Sequence, residues 1–399
     1  MPSPRTIIIA GAGIGGLTTA LALAAKGFRA VIIEKAEKLE EAGAGIQLSP
    51  NASRILIGLG LEPLLAPHVI ALDAVSMISA PSGRELTRIP LGEAATFRYG
   101  APYWIVHRAD LQAALLAKVN ENPDIELRLG LQFDDVASHV KGVTVVQRKD
   151  MAREPETALA LIGADGLWSS VRNHLFPDVR PTFSGRIAWR GIIEASQVPR
   201  EFRERRVQLW MGRNAHLVAY PISGGKRVNL VAIVEGEWNR PGWNEPGNAN
   251  AIKAYFDAPK WPVPARLMVS AVESWRCWAL YSIKDGGVWT RDKQNVALLG
   301  DAAHAMLPFM AQGAGMAIED AAVIAQCLAQ SPGDVAAAFA RYAGVRRSRV
   351  ARVQRAARTT GQIYHLGGPF AAARDLGIQW IGGKQLLARQ DWIYDQRFG

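Results

Sequence analysis

Two glycine-rich elements at opposite ends of the chain constrain its fold more than any other feature. One is Ile7-Ile8-Ile9-Ala10 running into Gly11, Gly13 and Gly16; the other is Gly300-Asp301 followed by Gln312-Gly313-Ala314-Gly315. The first reads as an apolar strand, a tight turn and an Ala- and Leu-rich helix to Lys26-Gly27, then a second strand, Ala30 to Ile33, closed by Glu34. In such a unit Gly11 permits the turn, Gly13 lets the backbone approach a pyrophosphate, and Gly16 lets helix and strand pack closely. The helix start offers free amides and a positive dipole end to the phosphates, and the terminal acid accepts from the adenosine ribose. The competing reading of this apolar stretch is a signal or membrane segment. The Lys26-Gly27 stop followed by a further strand, and the near-absence of positive charge ahead of it, argue against that.

This turn alone does not separate FAD from NAD, which share the adenosine diphosphate half. Later residues do. Gly163-Ala164-Asp165-Gly166 follows an apolar run, Ala158 to Ile162, and precedes a short helix predicted over Ser169 to His174. Val296 to Leu299 ends in Gly300-Asp301, and Gln312-Gly313-Ala314-Gly315 opens a helix predicted to reach about Gln330. An Asp at a strand end accepts hydrogen bonds from a polyol chain. A Gly-rich helix start suits a group that becomes anionic, as reduced flavin does on the N1 and C2-oxygen side of its ring.

Composition excludes several other classes. No uninterrupted apolar run reaches membrane length, and no repeat appears. Two cysteines, Cys277 and Cys327, show no ligand spacing, so no metal is expected, both thiols read as core residues and the cytoplasm is the expected compartment. The net charge of +10 raises a nucleic-acid reading. Much of the excess lies in one helical run carrying Arg341, Arg346, Arg347, Arg349, Arg352, Arg355 and Arg358, which reads as a solvated or subunit-facing helix, so no nucleic-acid partner is expected. A homodimer is compatible with it.

At 399 residues the chain has room for two or three domains, and their organisation is interleaved. Residues 1–75, 98–182 and 286–355 are expected to form the cofactor-binding domain, 76–97 and 183–285 a substrate domain, and 356–399 a C-terminal helical cap. Residues 71–98 read as a hairpin about Pro81-Ser82-Gly83. Strand-like runs Arg186 to Glu194, Val207 to Met211, His216 to Pro221 and Val228 to Val234, separated by Ser223-Gly224-Gly225 and Pro241-Gly242 turns, suit a largely antiparallel sheet. Eight of the 12 tryptophans fall between Trp189 and Trp289; most read as sheet core, beside an apolar, aromatic-rich site for a planar ring.

The set Gly11-Ala12-Gly13-Ile14-Gly15-Gly16, Arg108 in His107-Arg108-Ala109-Asp110-Leu111, Asp165-Gly166, and Gly300-Asp301-Ala302-Ala303-His304 with Pro308 resembles the single-component FAD-dependent aromatic hydroxylases, over essentially the whole chain. It is most similar to the branch holding salicylate hydroxylase, 3-hydroxybenzoate 6-hydroxylase and 6-hydroxynicotinate 3-monooxygenase. Gly45-Ile46-Gln47-Leu48-Ser49-Pro50-Asn51, Ala188-Trp189-Arg190-Gly191 and Asp391-Trp392-Ile393-Tyr394 carry that closer likeness. The resemblance implies an α/β architecture like p-hydroxybenzoate hydroxylase, with a Rossmann-like FAD-binding domain, an interleaved antiparallel-sheet substrate domain and C-terminal helices. It also implies that Gly11, Gly13, Ile14, Gly15, Gly16, Glu34, Lys35, Gly45 and Ile46 line the FAD site. By the same resemblance Arg108 holds the pyrophosphate or ribityl region, Asp301 the ribityl chain, and Gly313 and Ala314 the pyrimidine end. Asp165-Gly166 serves both FAD and a visiting NADH or NADPH. Gln47, Pro308 and Phe309 are the implied substrate contacts.

The implied chemistry is hydroxylation of a small phenolic or hydroxy-heteroaromatic acid by O2 through a flavin C4a-hydroperoxide, with salicylate-type decarboxylative hydroxylation as the leading expectation. A phenolate is a far better nucleophile than a phenol, so a base is expected. His216 and Tyr220, four apart on a strand, share a face and match the base and partner of the branch. The competing reading is a hydrogen-bonded core pair. His304, beside Asp301, reads as orienting backbone at that turn. Leu307-Pro308-Phe309 is apolar where relatives acting on 6-hydroxynicotinate or 3-hydroxybenzoate are expected to carry a polar side chain, which counts against those two substrates and makes a hydroxynicotinate- or hydroxybenzoate-type hydroxylase the alternative to the salicylate type. A flavin reductase on the same fold, or a non-enzymatic FAD-binding redox or scaffold protein, are the alternatives.

Overall fold

The structure is a computed structural model that describes residues 5–39, 45–150, 152–238, 244–257, 261–291 and 294–397; the expected Pro241-Gly242 turn lies outside them. Ile7, Ile8 and Ile9 are buried, as a strand covered on both faces must be. It lies near the middle of a five-stranded parallel sheet ordered Val296–Leu298, Ala160–Gly163, Thr6–Ala10, Arg29–Glu34, Ile125–Leu129. This order brings the distant motifs together. Gly11, Glu34, Asp165-Gly166 and Gly300-Asp301 all emerge at the carboxyl ends of four adjacent strands, where open α/β sheets bind ligands. The helix Ile14–Ala24 packs on the helix Gly313–Ala329. A Cβ on Gly15 would sit 2.9 Å from Leu299 Cδ1 and 3.4 Å from Ala317 Cβ, so the glycine permits that approach.

A second, eight-stranded sheet is ordered Glu245–Gly247, Trp275–Ser282, Thr182–Glu194, Arg227–Glu235, Ala215–Ile222, Arg206–Gly212, Ala74–Ser79, Glu85–Pro90. Its pairs are antiparallel except Arg206–Gly212 with Ala74–Ser79. Alternation divides each strand between two cores. Ala215, Leu217 and Ala219 face the helices Ala249–Tyr255 and Val263–Ala271 with Trp189, Trp210, Trp261 and Trp275. Most tryptophans of this segment therefore pack behind the sheet, and the rings on the opposite face include Tyr103, Tyr220, Phe309 and Trp278.

Three local expectations change. The run Ala158 to Ile162 is divided: Ala152–Ala158 joins a three-stranded antiparallel sheet with Gly142–Lys149 and Gln132–His139, and the parallel strand starts at Ala160. The hairpin Ala74–Ser79 and Glu85–Pro90 is followed by a helix, Gly92–Tyr99. The boundary expected after residue 355 falls inside one continuous helix, Val335–Tyr364.

The same helix divides the basic run: Arg341, Arg347, Arg352 and Arg355 are exposed, as a solvated face expects, whereas Arg346, Arg349 and Arg358 pair with acids of other elements. Arg346 is fully buried; its guanidinium pairs with Glu319 and, at 2.7 Å, with Asp320, both fully buried on the helix Gly313–Ala329. Arg349 also reaches Glu319, at 2.6 Å, and Arg358 pairs with Asp285. Burial opposes ionisation of both acids, but the cations outweigh it and their pKa values lie below the ordinary carboxylate range. Arg346→Ala leaves two buried carboxylates short of a partner and should cost about 3–5 kcal/mol in urea unfolding, whereas exposed Arg355→Ala should stay within about 0.5 kcal/mol. Equal effects would contradict this role.

Candidate active site

The cofactor cradle is built from backbone. Gly11 has φ 104°, and a Cβ there would meet Ala164 O at 2.6 Å, so the turn lies against the Ala164-Asp165 backbone. A Cβ on Gly16 would come within 1.9 Å of Gly11 O. A Cβ on Gly13 or on Gly313 would meet nothing within 4 Å, which leaves open space where a pyrophosphate and a flavin edge belong. Asp301, exposed, opens the short helix Asp301–His304, and Arg108 opens the helix Arg108–Asn120. Gln112 Nε2 of the latter helix donates to Ala12 O at 3.3 Å. Gly45 pairs with His107 in the neighbouring strands, so Gly45 and Ile46 border Arg108. Ile14, Gly313 and Ala314 stand at helix starts, and Lys35 is exposed beyond Glu34. These residues fit an FAD.

Two acids also do something the sequence did not reveal. Glu34 accepts from the N–H of Ala12 at 2.8 Å and of Ala36 at 3.0 Å, bracing the glycine turn while keeping lone pairs for a ribose hydroxyl. Asp165 accepts from Ser170 N–H at 2.7 Å, Val171 N–H at 3.1 Å and the Ser169 hydroxyl, so its side chain caps the helix Ser170–Leu175. The cap positions Asp165-Gly166 at the end of the strand Ala160–Gly163. His304 acts indirectly: Nε2 lies 2.5 Å from Asp320 Oδ2, and that oxygen takes the Gly300 N–H at 2.9 Å.

The face of the large sheet that carries Tyr220 meets this cradle at Gly45, and the ring-lined junction between them is the candidate substrate chamber. His216 and Tyr220 share the chamber face of the strand Ala215–Ile222, with ring contacts from His216 to Phe309 at 5.4 Å and Tyr364 at 5.5 Å. Tyr220 donates to Gly45 O at 2.7 Å, joining the sheet to the cradle. Gln47 accepts from Tyr103 at 2.7 Å. Phe309, in the short turn Pro308–Met310, carries Arg186 over its ring at 5.4 Å; Arg190 lies 5.5 Å from the Trp278 ring. The structure adds two residues that no motif marked. Asn229, paired with Tyr220 across the strands, is fully buried with neither amide atom hydrogen-bonded. His365 Nε2 lies 2.7 Å from His216 Nδ1.

Burial, with the Arg186 charge, pushes the His365 imidazole down to about 3, and burial holds His216 well below its ordinary value. Both rings are therefore neutral near pH 7. They protonate in the unfolded chain first, so their contribution to stability is full above pH 6.5 and is lost as pH falls toward 3. The slope is up to about 1.4 kcal/mol per pH unit per ring. Urea unfolding at pH 7.5 and 5.5 should show a smaller acid loss in His365→Gln than in the parent; equal losses would contradict the neutral pair.

Comparison with known proteins agrees with this fold and its cofactor. The FAD binding domain family matches residues 5–357. A 3-hydroxybenzoate 6-hydroxylase of Klebsiella oxytoca is 36% identical over 388 residues, covering 94% of this chain and 96% of the relative. A 3-amino-4-hydroxybenzoate 2-monooxygenase of Streptomyces platensis is 36% identical over 393 residues, covering 98% and 96%. A salicylate hydroxylase solved with its substrate superimposes with a TM-score of 0.83 at 25% identity, covering 100% of this chain and 97% of that one. The chain belongs to the FAD-binding domain family, among the single-component flavoprotein aromatic hydroxylases, with FAD as its cofactor.

Proposed function

We propose that the protein hydroxylates a hydroxybenzoate, using O2 and NADH or NADPH, with His216 as the base that removes the ring-hydroxyl proton. That class includes salicylate, the leading expectation from sequence, and the 3-hydroxybenzoate of the Klebsiella oxytoca relative's name. The observation that carries the reading is a neutral, buried imidazole against Phe309 on the chamber face. When bound, FAD supplies the hydride acceptance and oxygen activation.

The chain's own residues do the rest. Nδ1 of His216 is engaged by His365, which leaves Nε2 for the substrate hydroxyl. Deprotonation raises the electron density of the ring where oxygen is to be inserted. Tyr220, held on Gly45 O, fixes the distance from sheet to cradle, and Arg186 and Arg190, each over an aromatic ring of this face, are cations suited to an acid's carboxylate. Phe309 packs against Gly361, where a Cβ would come within 2.5 Å of the ring, so the wall facing His216 is fixed and excludes water. The start of the helix Gly313–Ala329 favours negative charge at the pyrimidine end of a flavin.

We also propose the domain division 1–75, 98–182 and 286–355 for FAD and 76–97 and 183–285 for substrate, with the C-terminal cap beginning only after the helix Val335–Tyr364 that runs through the expected boundary. Cys277 and Cys327, both buried as thiols and not joined in a disulfide, support a reducing, cytoplasmic setting. Exposed Phe370, Leu376 and Trp380 on one helix, Gly368–Ile381, support a homodimer.

Asp301→Ala and Glu34→Ala should each weaken non-covalent FAD binding by roughly 1–3 kcal/mol, up to about a hundredfold, in fluorescence titration of the apoprotein; unchanged affinity would remove the assigned roles. NAD(P)H oxidation should be slow alone and accelerate with salicylate, 3-hydroxybenzoate or 3-amino-4-hydroxybenzoate. Ligand-independent turnover would place the protein with the flavin reductases. His216→Ala and Tyr220→Phe should keep FAD, while His216→Ala lowers the oxygen-transfer step about a hundredfold to ten-thousandfold and diverts reductant to peroxide. Unchanged coupling would assign the pair to the sheet core.

A further inference from the structure

His365 lies outside every motif that points to the cofactor, yet it is the only described side chain bonded to His216, and it stands between that ring and the surface. We propose that His216, His365 and Glu235 form a proton relay carrying the substrate's hydroxyl proton from the chamber to solvent, with Arg186 and Glu235 competing for His365 Nδ1 and so setting the balance of its two states. The relay rests on His216 being the group that faces the substrate hydroxyl.

His216 is 2% exposed and enclosed by Phe309, Tyr364 and His365, so a proton taken at Nε2 has no direct way to water. A buried ring kept neutral must lose a proton from one nitrogen as it gains one on the other. The Nδ1 atom of His216 is 2.7 Å from His365 Nε2. The far nitrogen, His365 Nδ1, meets two partners of opposite character: Arg186 Nε donates to it at 3.4 Å, and Glu235 Oε1 lies 3.9 Å away. Arg186 Nη2 is 3.8 Å from that same carboxylate oxygen. The Glu235 side chain is 46% exposed, so the path ends at water.

Two tautomeric states follow. With Glu235 accepting, both rings carry Nδ1–H and His216 Nε2 is free to take a proton. With Arg186 donating, both carry Nε2–H and His216 becomes a donor to a phenolate oxygen. Passing from the first state to the second moves the hydroxyl proton to His216 Nε2, the His216 Nδ1 proton to His365 Nε2, and the His365 Nδ1 proton to Glu235 and water. Neither imidazole becomes charged. Reprotonation of the product oxygen runs the same steps backward and restores both rings. The titratable and charged groups around the pair are Arg186 from Thr182–Glu194, Glu235 from Arg227–Glu235, Tyr364 from Val335–Tyr364, and Arg213, packed on Gly367.

The test mixes oxidised holoenzyme with 3-hydroxy-4-nitrobenzoate, whose phenolate absorbs visible light, in the presence of a pH indicator. The parent should ionise the bound probe and release its proton; His365→Gln and Glu235→Gln should do so at least tenfold more slowly, with unchanged affinity for 3-methoxy-4-nitrobenzoate. Parent-like rates in both, with ionisation abolished in His216→Ala, would overturn the relay and leave the base standing. Parent-like rates in all three would remove the base as well. Nitrogen-15 histidine spectra of the holoenzyme need no ligand: His365 should show a fraction of the Nδ1–H tautomer that leaves His216 Nε2 free, and this fraction should rise in Arg186→Met and fall in Glu235→Gln. A tautomer indifferent to both changes contradicts the proposal.

Discussion

The buried charges of Arg346, Glu319 and Asp320 hold the site's separate pieces in one frame. Asp320 takes the Gly300 N–H and His304 Nε2, which fixes the strand end that presents Asp301. Glu319 takes Asn51 Nδ2 at 2.7 Å; Asn51 also donates to Gln312, which in turn donates to the Ser49 hydroxyl at 2.9 Å. The start of the Gly313–Ala329 helix is thereby locked to the end of the Gly45–Leu48 strand, and Tyr220 bonds that strand from the substrate sheet. Unpaired buried charge costs several kcal/mol, so this arrangement tolerates little slack. Rigidity here has a use in the proposed reaction, in which a ring hydroxyl would lie within hydrogen-bond reach of His216 while the carbon to be attacked faces the flavin.

The two halves of the chamber use different physics. The cradle recognises its cofactor with backbone, helix starts and space left by absent side chains, which suits a phosphate-rich ligand common to many enzymes. The sheet side uses rings, two cations and a neutral imidazole, which suits a planar acid whose hydroxyl must lose a proton in a dry place. Neutral His216 is the consequence of that dryness, since burial penalises its charged form.

Much of this was legible in the residues. The parallel sheet is written in Ile7 to Ala10 and in the glycine spacing, and the family in the order of Gly11, Arg108, Asp165 and Asp301. The facing of His216 and Tyr220 follows from strand periodicity. Other features left no local signal. Arg346 looks like its exposed neighbours in a basic helix, and only the position of the Gly313–Ala329 helix buries it. Ala311 adopts a left-handed backbone, φ 52°, where a glycine would be expected. His365 reaches His216 from 149 positions away, Asn229 meets Tyr220 only through strand register, and the Asp165 side chain also caps a helix. Each depends on which elements come together, which a linear pattern does not encode.

The central claim, that this chain inserts an oxygen atom of O2 into a hydroxybenzoate, is tested most directly by turnover under 18O2 with mass analysis of the product. The account predicts that the new hydroxyl carries the heavy label and that one labelled atom appears for each NAD(P)H consumed in coupled turnover. Unlabelled product, or NAD(P)H consumption that yields only hydrogen peroxide with every hydroxybenzoate, would contradict it.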